Sequence, residues 1–368
     1  MIDRTDPVAD PRPVLITGGA GFIGSNLADR LAGEGHLVRI FDRLSRTGVE
    51  RNLGWLQQNH GDRIEAIVGD VRDAGALAEA TAGVKAVFHL AAQVAVTTSM
   101  VDPREDHDIN IGGTFNLLEA LRASGENTPL VFASTNKVYG DLADLEFVRA
   151  GEAYVPADAE IGAHGISEAR SLDFHTPYGV SKGAADQYVL DYARSYGLPA
   201  AVLRMSCIYG RRQMGTEDQG WVAHFLIRAL DGEPITLYGD GYQVRDILDV
   251  ADAVAAYVAA WRRIDEVSGR AFNLGGGPDN AVSLRELLAH MGQLIGRDIR
   301  TEFAGWRAGD QRYFVADTRA AQVALGLEPR VPWKEGVARL ASWLAEERRV
   351  NFPVGLQDHT PVLQKLAS

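Results

Sequence analysis

Val14-Leu-Ile-Thr-Gly-Gly-Ala-Gly-Phe-Ile-Gly24 decides the fold. Val14 to Thr17 is a short run of buried-strand character, Gly18-x-x-Gly21-x-x-Gly24 follows it, and an amphipathic helical pattern then runs from about Phe22 to Ala32 and stops near Gly33 and Gly35. Leu37-Val-Arg-Ile-Phe41 supplies the next strand, so the stretch is a βαβ unit. The three glycines differ in what they permit. Gly18 allows the tight turn, Gly21 lets backbone approach a pyrophosphate, and Gly24 allows the helix to pack closely. The helix start at Phe22 and Ile23 offers free N–H groups to the phosphates. Asp42 ends the second strand, where a carboxylate accepts bonds from the adenosine ribose hydroxyls and repels a 2′-phosphate. NAD is therefore expected rather than NADP, with Arg43 and Arg46 as the nearby opposing charges.

The alternation continues outward. Strand patterns at residues 64–68, 86–89, 130–134 and 200–204 interleave with helical patterns at 74–81, 110–123 and 178–196. Such alternation predicts an α/β fold, a Rossmann doubly wound parallel sheet. Asp70 and Val71 follow the third strand, and Leu90, Ala91 and Ala92 follow the fourth, at the strand ends where these sheets bind ligands. After about residue 205 the rhythm changes to helices near 221–230, 283–295 and 334–347 and a strand near 245–250, which predicts a smaller, interleaved substrate-binding lobe. The expected organisation is a disordered lead over 1–12, an NAD-binding domain over 13–204 with part of 240–275 returning to it, a second lobe mainly over 205–350, and a loosely ordered tail over 351–368. The long polar connection 141–176 is expected to line or cover the active site.

Composition narrows the partners. The chain has 368 residues, 46% hydrophobic and 23% charged, enough for a full core and two lobes. Its net charge of −12 opposes nucleic-acid binding. A single cysteine, Cys207, excludes an internal disulfide and a multi-cysteine zinc site, which fits a reducing cytoplasm. The acidic, proline-containing start lacks the features of a signal peptide, and no apolar run suits a membrane span. His89, His107, His175 and His224 show no metal-ligand spacing with carboxylates, so no metal is expected.

Tyr178-Gly-Val-Ser-Lys182 carries the chemistry. On a helix, residues four apart share a face, so the Lys182 ammonium can sit beside the Tyr178 phenol and favour its phenolate form. A tyrosine so placed exchanges protons with a sugar hydroxyl. Asn110, opening a helix, reads as a cap or a strand-end brace.

Thr-Gly-Gly-Ala-Gly-Phe-Ile-Gly, His-Leu-Ala-Ala, Ser134-Thr-Asn-Lys-Val-Tyr-Gly140 and Tyr-Gly-Val-Ser-Lys, in this order, resemble the extended short-chain dehydrogenase/reductase family of NAD-dependent nucleotide-sugar epimerases and dehydratases. The resemblance implies that Tyr178 is the acid/base, that Lys182 lowers its pKa and binds the nicotinamide ribose, and that Thr135 orients the sugar hydroxyl. Dehydratases of the family carry an Asp-Glu pair directly after the threonine; Asn136 and Lys137 stand there instead, so elimination lacks its proton donor and acceptor.

Further segments are similar to the CDP-hexose 2-epimerase branch (the CDP-paratose/CDP-tyvelose type): Phe41-Asp-Arg-Leu-Ser-Arg46, Gln93 to Ser99, Leu172 to Gln187, Gly210 to Gln213, Asp218 to Val222 and Gly309 to Arg312. This branch resemblance implies inversion at C2 of a CDP-sugar by hydride abstraction, turning of the 2-keto intermediate and hydride return. It adds Ser45 and Arg46 to the cofactor contacts, and places Arg245, Arg307 and Asp310 against the nucleotide diphosphate and its ribose. Gln93, Asn136, Gln213, Gln219 and Trp221 are candidates for sugar or base contact. A homodimer or homotetramer pairing through helices 110–123 and 178–196 is also implied. A UDP-hexose 4-epimerase and an inactive NAD-binding sensor remain as alternatives.

Overall fold

The computed structural model describes residues 6, 10–328 and 330–348. The expected tail, 351–368, lies outside the described residues. Seven strands form the central sheet: β1 (Val14–Thr17), β2 (Val38–Asp42), β3 (Ile64–Val68), β4 (Ala86–His89), β5 (Leu130–Thr135), β8 (Ala200–Met205) and β12 (Arg270–Leu274). They lie in the order β3-β2-β1-β4-β5-β8-β12, and every pair is parallel. The doubly wound sheet expected from the alternation is therefore present. Its order reverses between β1 and β4, which opens the crevice in which such sheets bind ligands.

Alternate residues of each strand feed two cores. On one face Val14, Ile16, Val38, Ile40 and Phe88 meet α1 (Phe22–Gly33), α2 (Val49–His60) and α10 (Val250–Arg262). On the other, Leu15, Phe41, Val87 and Phe132 meet α3 (Ala74–Thr81), α6 (Gly113–Ser124) and α8 (Thr176–Tyr196). Burial on both faces explains why these strands read as near-continuous apolar runs. Helix α10 and strand β12 come from late in the chain, so the fold is closed by a segment returning from the second lobe.

That lobe packs α9 (Trp221–Asp231), α12 (Leu284–Ile295) and α14 (Trp333–Arg348) over Ile247, Val282, Ile235 and Leu237. Ile247 belongs to β11 (Val244–Asp249), which pairs with β9 (Cys207–Tyr209), β13 (Ala281–Ser283) and β15 (Tyr313–Phe314); a separate parallel pair joins β10 (Ile235–Tyr238) to β14 (Thr301–Ala304). The helix over 284–295 begins with a reciprocal capping box between Ser283 and Glu286, which fixes its start. Among the described residues, no helix is long and apolar enough to cross a membrane.

Two expectations change. The lead is ordered earlier than its composition suggests: Asp10 is buried, pairs with the Arg12 guanidinium at 2.8 Å, and accepts a bond at its carbonyl from Lys85 Nζ at 2.6 Å. A buried ammonium needs such acceptors, and they tie the chain down before β1. The connection 141–176 is not a lid. It folds into a hairpin, β6 (Phe147–Ala150) with β7 (Ala153–Pro156), and a short helix, α7 (Ala159–His164), and lines a separate cavity of about 730 Å³ rather than the nucleotide crevice.

Gly24 is the tightest point of the βαβ turn. A Cβ there would lie 2.3 Å from the Gly18 carbonyl oxygen and 2.7 Å from Gly19 Cα, both backbone atoms that cannot swing aside. Gly24→Ala is expected to destabilise the fold by about 1–3 kcal/mol through overpacking and to lower the NAD content of the purified protein. Urea denaturation and nicotinamide assay of the two proteins check both effects.

Candidate active site

A cavity of about 500 Å³ opens at the C-terminal ends of β1, β2, β4 and β5 and runs to the second lobe. Its walls bring together most of the residues singled out from sequence: Gly18, Gly21, Phe22, Ile23, Gly24, Asp42, Ser45, Arg46, Asp70, Val71, Leu90, Ala91, Ala92, Gln93, Thr135, Tyr178, Gln213, Gln219 and Trp221. Lys182, Asn136, Arg245, Arg307 and Asp310 are not in its walls.

The dinucleotide end is built from backbone. Gly18 has φ +69°, and a Cβ there would stand 2.7 Å from Ala91 N, so the first glycine lets the β1 turn touch the β4 turn. Asp42 Oδ2 accepts from Ala20 N at 3.1 Å and Oδ1 from Leu44 N at 2.8 Å. Its carboxylate thus fastens the glycine turn as well as lining the cavity. Burial pushes the Asp42 pKa up, and the backbone N–H groups oppose that. Arg43, the adjacent cation, donates to Ser45 Oγ at 2.8 Å and lies 3.4 Å from carboxylate oxygens of Asp70 and Glu105. Its charge is thus shared with those groups rather than offered to a 2′-phosphate. Asp70 is gripped by the Arg72 guanidinium, which holds its pKa down to about 2. Glycine turn, ribose-side carboxylate and free helix start together fit NAD.

Beneath the β4 turn, His89 Nδ1 lies 2.6 Å from Thr17 Oγ1 and Nε2 lies 3.1 Å from Thr114 Oγ1. Thr114 spends its own proton on the Asn110 carbonyl, so it accepts from the ring, and the neutral Nε2–H tautomer follows. Complete burial pushes the His89 pKa down to about 3. Asn110 braces the same turn. Its side chain accepts from Gln93 N at 2.9 Å and donates to Gln93 O and Ser181 Oγ, the brace read from sequence. The Gln93 amide folds back on Ala95, so it closes its own loop while facing the cavity.

Tyr178 lies in the first turn of α8, and its backbone N–H donates to Ser99 Oγ at 3.2 Å. The Thr135 side chain is near enough to the phenol to lower its pKa. Burial pushes the Tyr178 pKa up to about 12; the Thr135 side chain opposes the rise and the Asp106 carboxylate adds to it. Lys182 is not among the groups that move the phenol's pKa. Lys182 is itself pushed down to about 8 by burial, against the pull of Asp186 and Asp106, and its Nζ sits 4.3 Å from the Phe132 ring centroid. It stands behind the cavity wall, not in it.

The remaining absentees have partners that sequence could not show. Arg245 donates to Asp310 Oδ1 at 2.6 Å and to the Val244 carbonyl at 2.8 Å. Arg307 donates to Glu217 and covers the Tyr238 ring at 3.6 Å. Asn136 turns its amide toward Gln311, 3.4 Å away. His175, read as a loop histidine, lies 3.1 Å from Asp173 and 3.4 Å from Asp141 in a solvent-exposed group.

Sequence reading missed Cys207, whose thiol accepts from Trp221 Nε1 at 3.3 Å, and Ser206, Met205 and Ile208, which line the cavity from the end of β8 onward. It also missed Asp106, buried between Asn110 and the Lys182 region. The turn after β8 was a findable signal, because strand ends are where this fold binds.

Tyr178→Phe is expected to keep bound NAD and lose about 10²–10⁴-fold in turnover, the range for a lost acid/base group; nicotinamide content and steady-state rates check it. His89 predicts an acid sensitivity. Its folded pKa, about 3, lies below the ordinary value of 6.5, so the unfolded chain takes up a proton first and stability falls as pH drops from 6.5 toward 3. The slope is at most about 1.4 kcal/mol per pH unit, and His89→Gln is expected to flatten the decline measured by urea denaturation between pH 6.5 and 5.

The sequence pattern of the NAD dependent epimerase/dehydratase family matches residues 14–275. The chain is 42% identical to CDP-paratose 2-epimerase of Salmonella typhi, over 90% of this chain and 98% of that one. It is 34% identical to UDP-glucose 4-epimerase of Mycolicibacterium smegmatis, over 88% and 96% respectively. The structure of Thermus thermophilus UDP-glucose 4-epimerase in complex with NAD superposes with a TM-score of 0.74 at 31% identity, covering 90% of this chain and 98% of that chain. With the glycine cradle, Asp42, Thr135 and Tyr178 around one crevice and this family pattern spanning most of the chain, the protein belongs to the NAD-dependent epimerase/dehydratase family.

Proposed function

We propose that the protein inverts C2 of a CDP-hexose of the CDP-paratose/CDP-tyvelose type. The observation that carries this reading is the wall shared by the glycine cradle, Thr135 and Tyr178, together with Asn136 and Lys137 in the place of a dehydratase's carboxyl pair. Without that pair, the residues around the sugar can support oxidation and reduction at one carbon but not loss of water across two. The 42% identity to a CDP-paratose 2-epimerase, against 34% to a UDP-glucose 4-epimerase, favours C2 of a CDP-sugar.

In this reading Gly18, Gly21, Gly24 and the N–H groups of Phe22 and Ile23 hold the pyrophosphate, while Asp42, with Ser45 and Arg46, holds the adenosine side. Bound NAD supplies reversible hydride transfer at the sugar carbon. Tyr178, a neutral phenol in the resting site, acts as the base only as its phenolate, which takes the hydroxyl proton as the carbonyl forms and returns it afterwards. Thr135, in the same wall as the phenol, orients that hydroxyl. Lys182, flanked by Asp186 and Asp106, supplies the cation that favours this phenolate. Gln93, Gln213, Gln219 and Trp221 border the space left for sugar and base. Gln213 is buried, and its Oε1 has no hydrogen-bond partner among the described residues, which suits a donor on the ligand.

The assembly is proposed to be a homodimer or a dimer of dimers. Phe115 on α6 and Val180 and Tyr188 on α8 are exposed apolar groups on neighbouring helices, with the Phe115 and Tyr188 rings 5.8 Å apart. Such a patch suits a paired copy. The single cysteine supports a cytoplasmic location.

Proton NMR of the purified protein with CDP-paratose, CDP-glucose and UDP-glucose, each alone in D₂O, tests the reaction. Inversion at C2 of a CDP-sugar without deuterium uptake is the expected outcome. Inversion at C4 of UDP-glucose would replace it with the 4-epimerase reading, and inert tubes would favour an NAD-binding protein without this activity.

A further inference from the structure

Asn136 and Lys137 stand where a dehydratase would hold its acid and base, yet neither lines the cavity. Both turn instead toward residues 309–311, more than 170 positions later in the chain. Lys137 Nζ donates to the Gly309 carbonyl at 3.0 Å, and the Asn136 amide approaches Gln311 Oε1 at 3.4 Å. Gln311, with no exposed surface, answers by donating from Nε2 to the Gly140 carbonyl at 2.6 Å. Three contacts therefore join the turn that carries Thr135 to one short loop of the second lobe.

The other side of the loop is fixed to the second lobe. Asp310 Oδ1 accepts from Arg245 on β11 at 2.6 Å and from Gln311 N at 3.0 Å. The Asp310 backbone N–H returns to Arg307 O at 3.2 Å, and the Arg307 side chain reaches Glu217 and Tyr238. Gly309 has φ +67°, and a Cβ there would stand 2.8 Å from Thr176 Cγ2, two residues before Tyr178. The loop is thus wedged between the catalytic turn, the start of the catalytic helix and the strand that bears Arg245.

From this geometry we infer that Lys137 is a positioning residue: it straps the loop bearing Arg307 and Asp310 to the catalytic turn, and so fixes how far the nucleotide sits from Thr135 and Tyr178. The inference rests on the nucleotide-sugar reading above and on the placement of Arg307, Asp310 and Arg245 at the nucleoside diphosphate that the family resemblance implies. The position that supplies a proton in a dehydratase supplies a mechanical tie in this chain. An ammonium bonded to a carbonyl between two lobes sets distance without touching the sugar, and preorganisation of this kind appears as affinity for the nucleotide part of the ligand.

Calorimetric titration of the NAD-loaded protein with CDP and with UDP, which carry no sugar, tests this. Lys137→Met is expected to raise the Kd of the diphosphate that the wild type binds by about tenfold, the scale of one charge-assisted hydrogen bond, with NAD content unchanged. Lys137→Arg, which keeps a donor, is expected to restore the Kd to within about threefold. A Lys137→Met protein that binds the diphosphate as the wild type does would overturn the inference. So would one that loses affinity only for the complete CDP-sugar, since Lys137 would then touch the sugar itself. Should Lys137→Met lose its NAD and fail to fold, Gln311→Met cuts the strap from the other side and must weaken the diphosphate in the same way; unchanged affinity there also overturns the inference. A wild type that binds neither diphosphate would instead sink the nucleotide-sugar reading beneath it.

Discussion

The buried pair of Asp186 and Arg204 holds the catalytic parts in one frame. Arg204 on β8 donates to both carboxylate oxygens of Asp186 on α8 at 2.9 Å, with side-chain exposures of 5% and 0%. Ser134, the residue before Thr135, donates to the same carboxylate at 2.7 Å. Arg204 also reaches the Tyr139 hydroxyl at 3.1 Å, and that hydroxyl donates to Asn273 on β12 at 2.8 Å. One ion pair therefore connects the catalytic turn, the catalytic helix and the last two strands of the sheet. Charges this deep are tolerated because their hydrogen-bonding capacity is taken up; removing one partner of such a pair costs about 3–5 kcal/mol.

The same pair sets the electrostatics of the site. Asp186 lies one helical turn beyond Lys182, and its negative charge keeps the ammonium from losing its proton altogether in a dry setting. Asp106 acts on Lys182 from the other side and is itself pushed toward its neutral form by burial. Tyr178 is left as a neutral acid with Thr135 as partner, and His89 as a neutral bridge beneath the cofactor turn. The resting site stores its catalytic groups in their uncharged forms or paired, so Tyr178 gives up its own proton before it takes one from a substrate hydroxyl.

What the sequence makes legible is local. The β1 turn, Asp42 and the Tyr178–Lys182 spacing read directly, since a few neighbouring residues determine each. Helix α2 escapes such a reading because Arg51, Gln57, Gln58 and Asn59 surround a narrow inward stripe in which only Asn52 and Leu56 are buried. The β6–β7 hairpin escapes it because its strands are only four residues long and largely face solvent. Burial of Tyr178, the Arg245–Asp310 pair and the Lys137–Gly309 contact all depend on segments distant in sequence. No periodicity reports them, which is why the sequence does not show that Arg245 and Asp310 turn toward each other and Asn136 toward Gln311.

The central claim is that oxidation and reduction occur on one sugar molecule held in one enclosed crevice. An isotope crossover measures this directly: an equimolar mixture of CDP-paratose deuterated at C2 and CDP-paratose labelled uniformly with ¹³C in the sugar is converted, and the product is analysed by mass spectrometry. Deuterium confined to the ¹²C product is the result predicted. Deuterium appearing in the ¹³C product, or lost to solvent, would contradict hydride return to the same carbon of the same molecule.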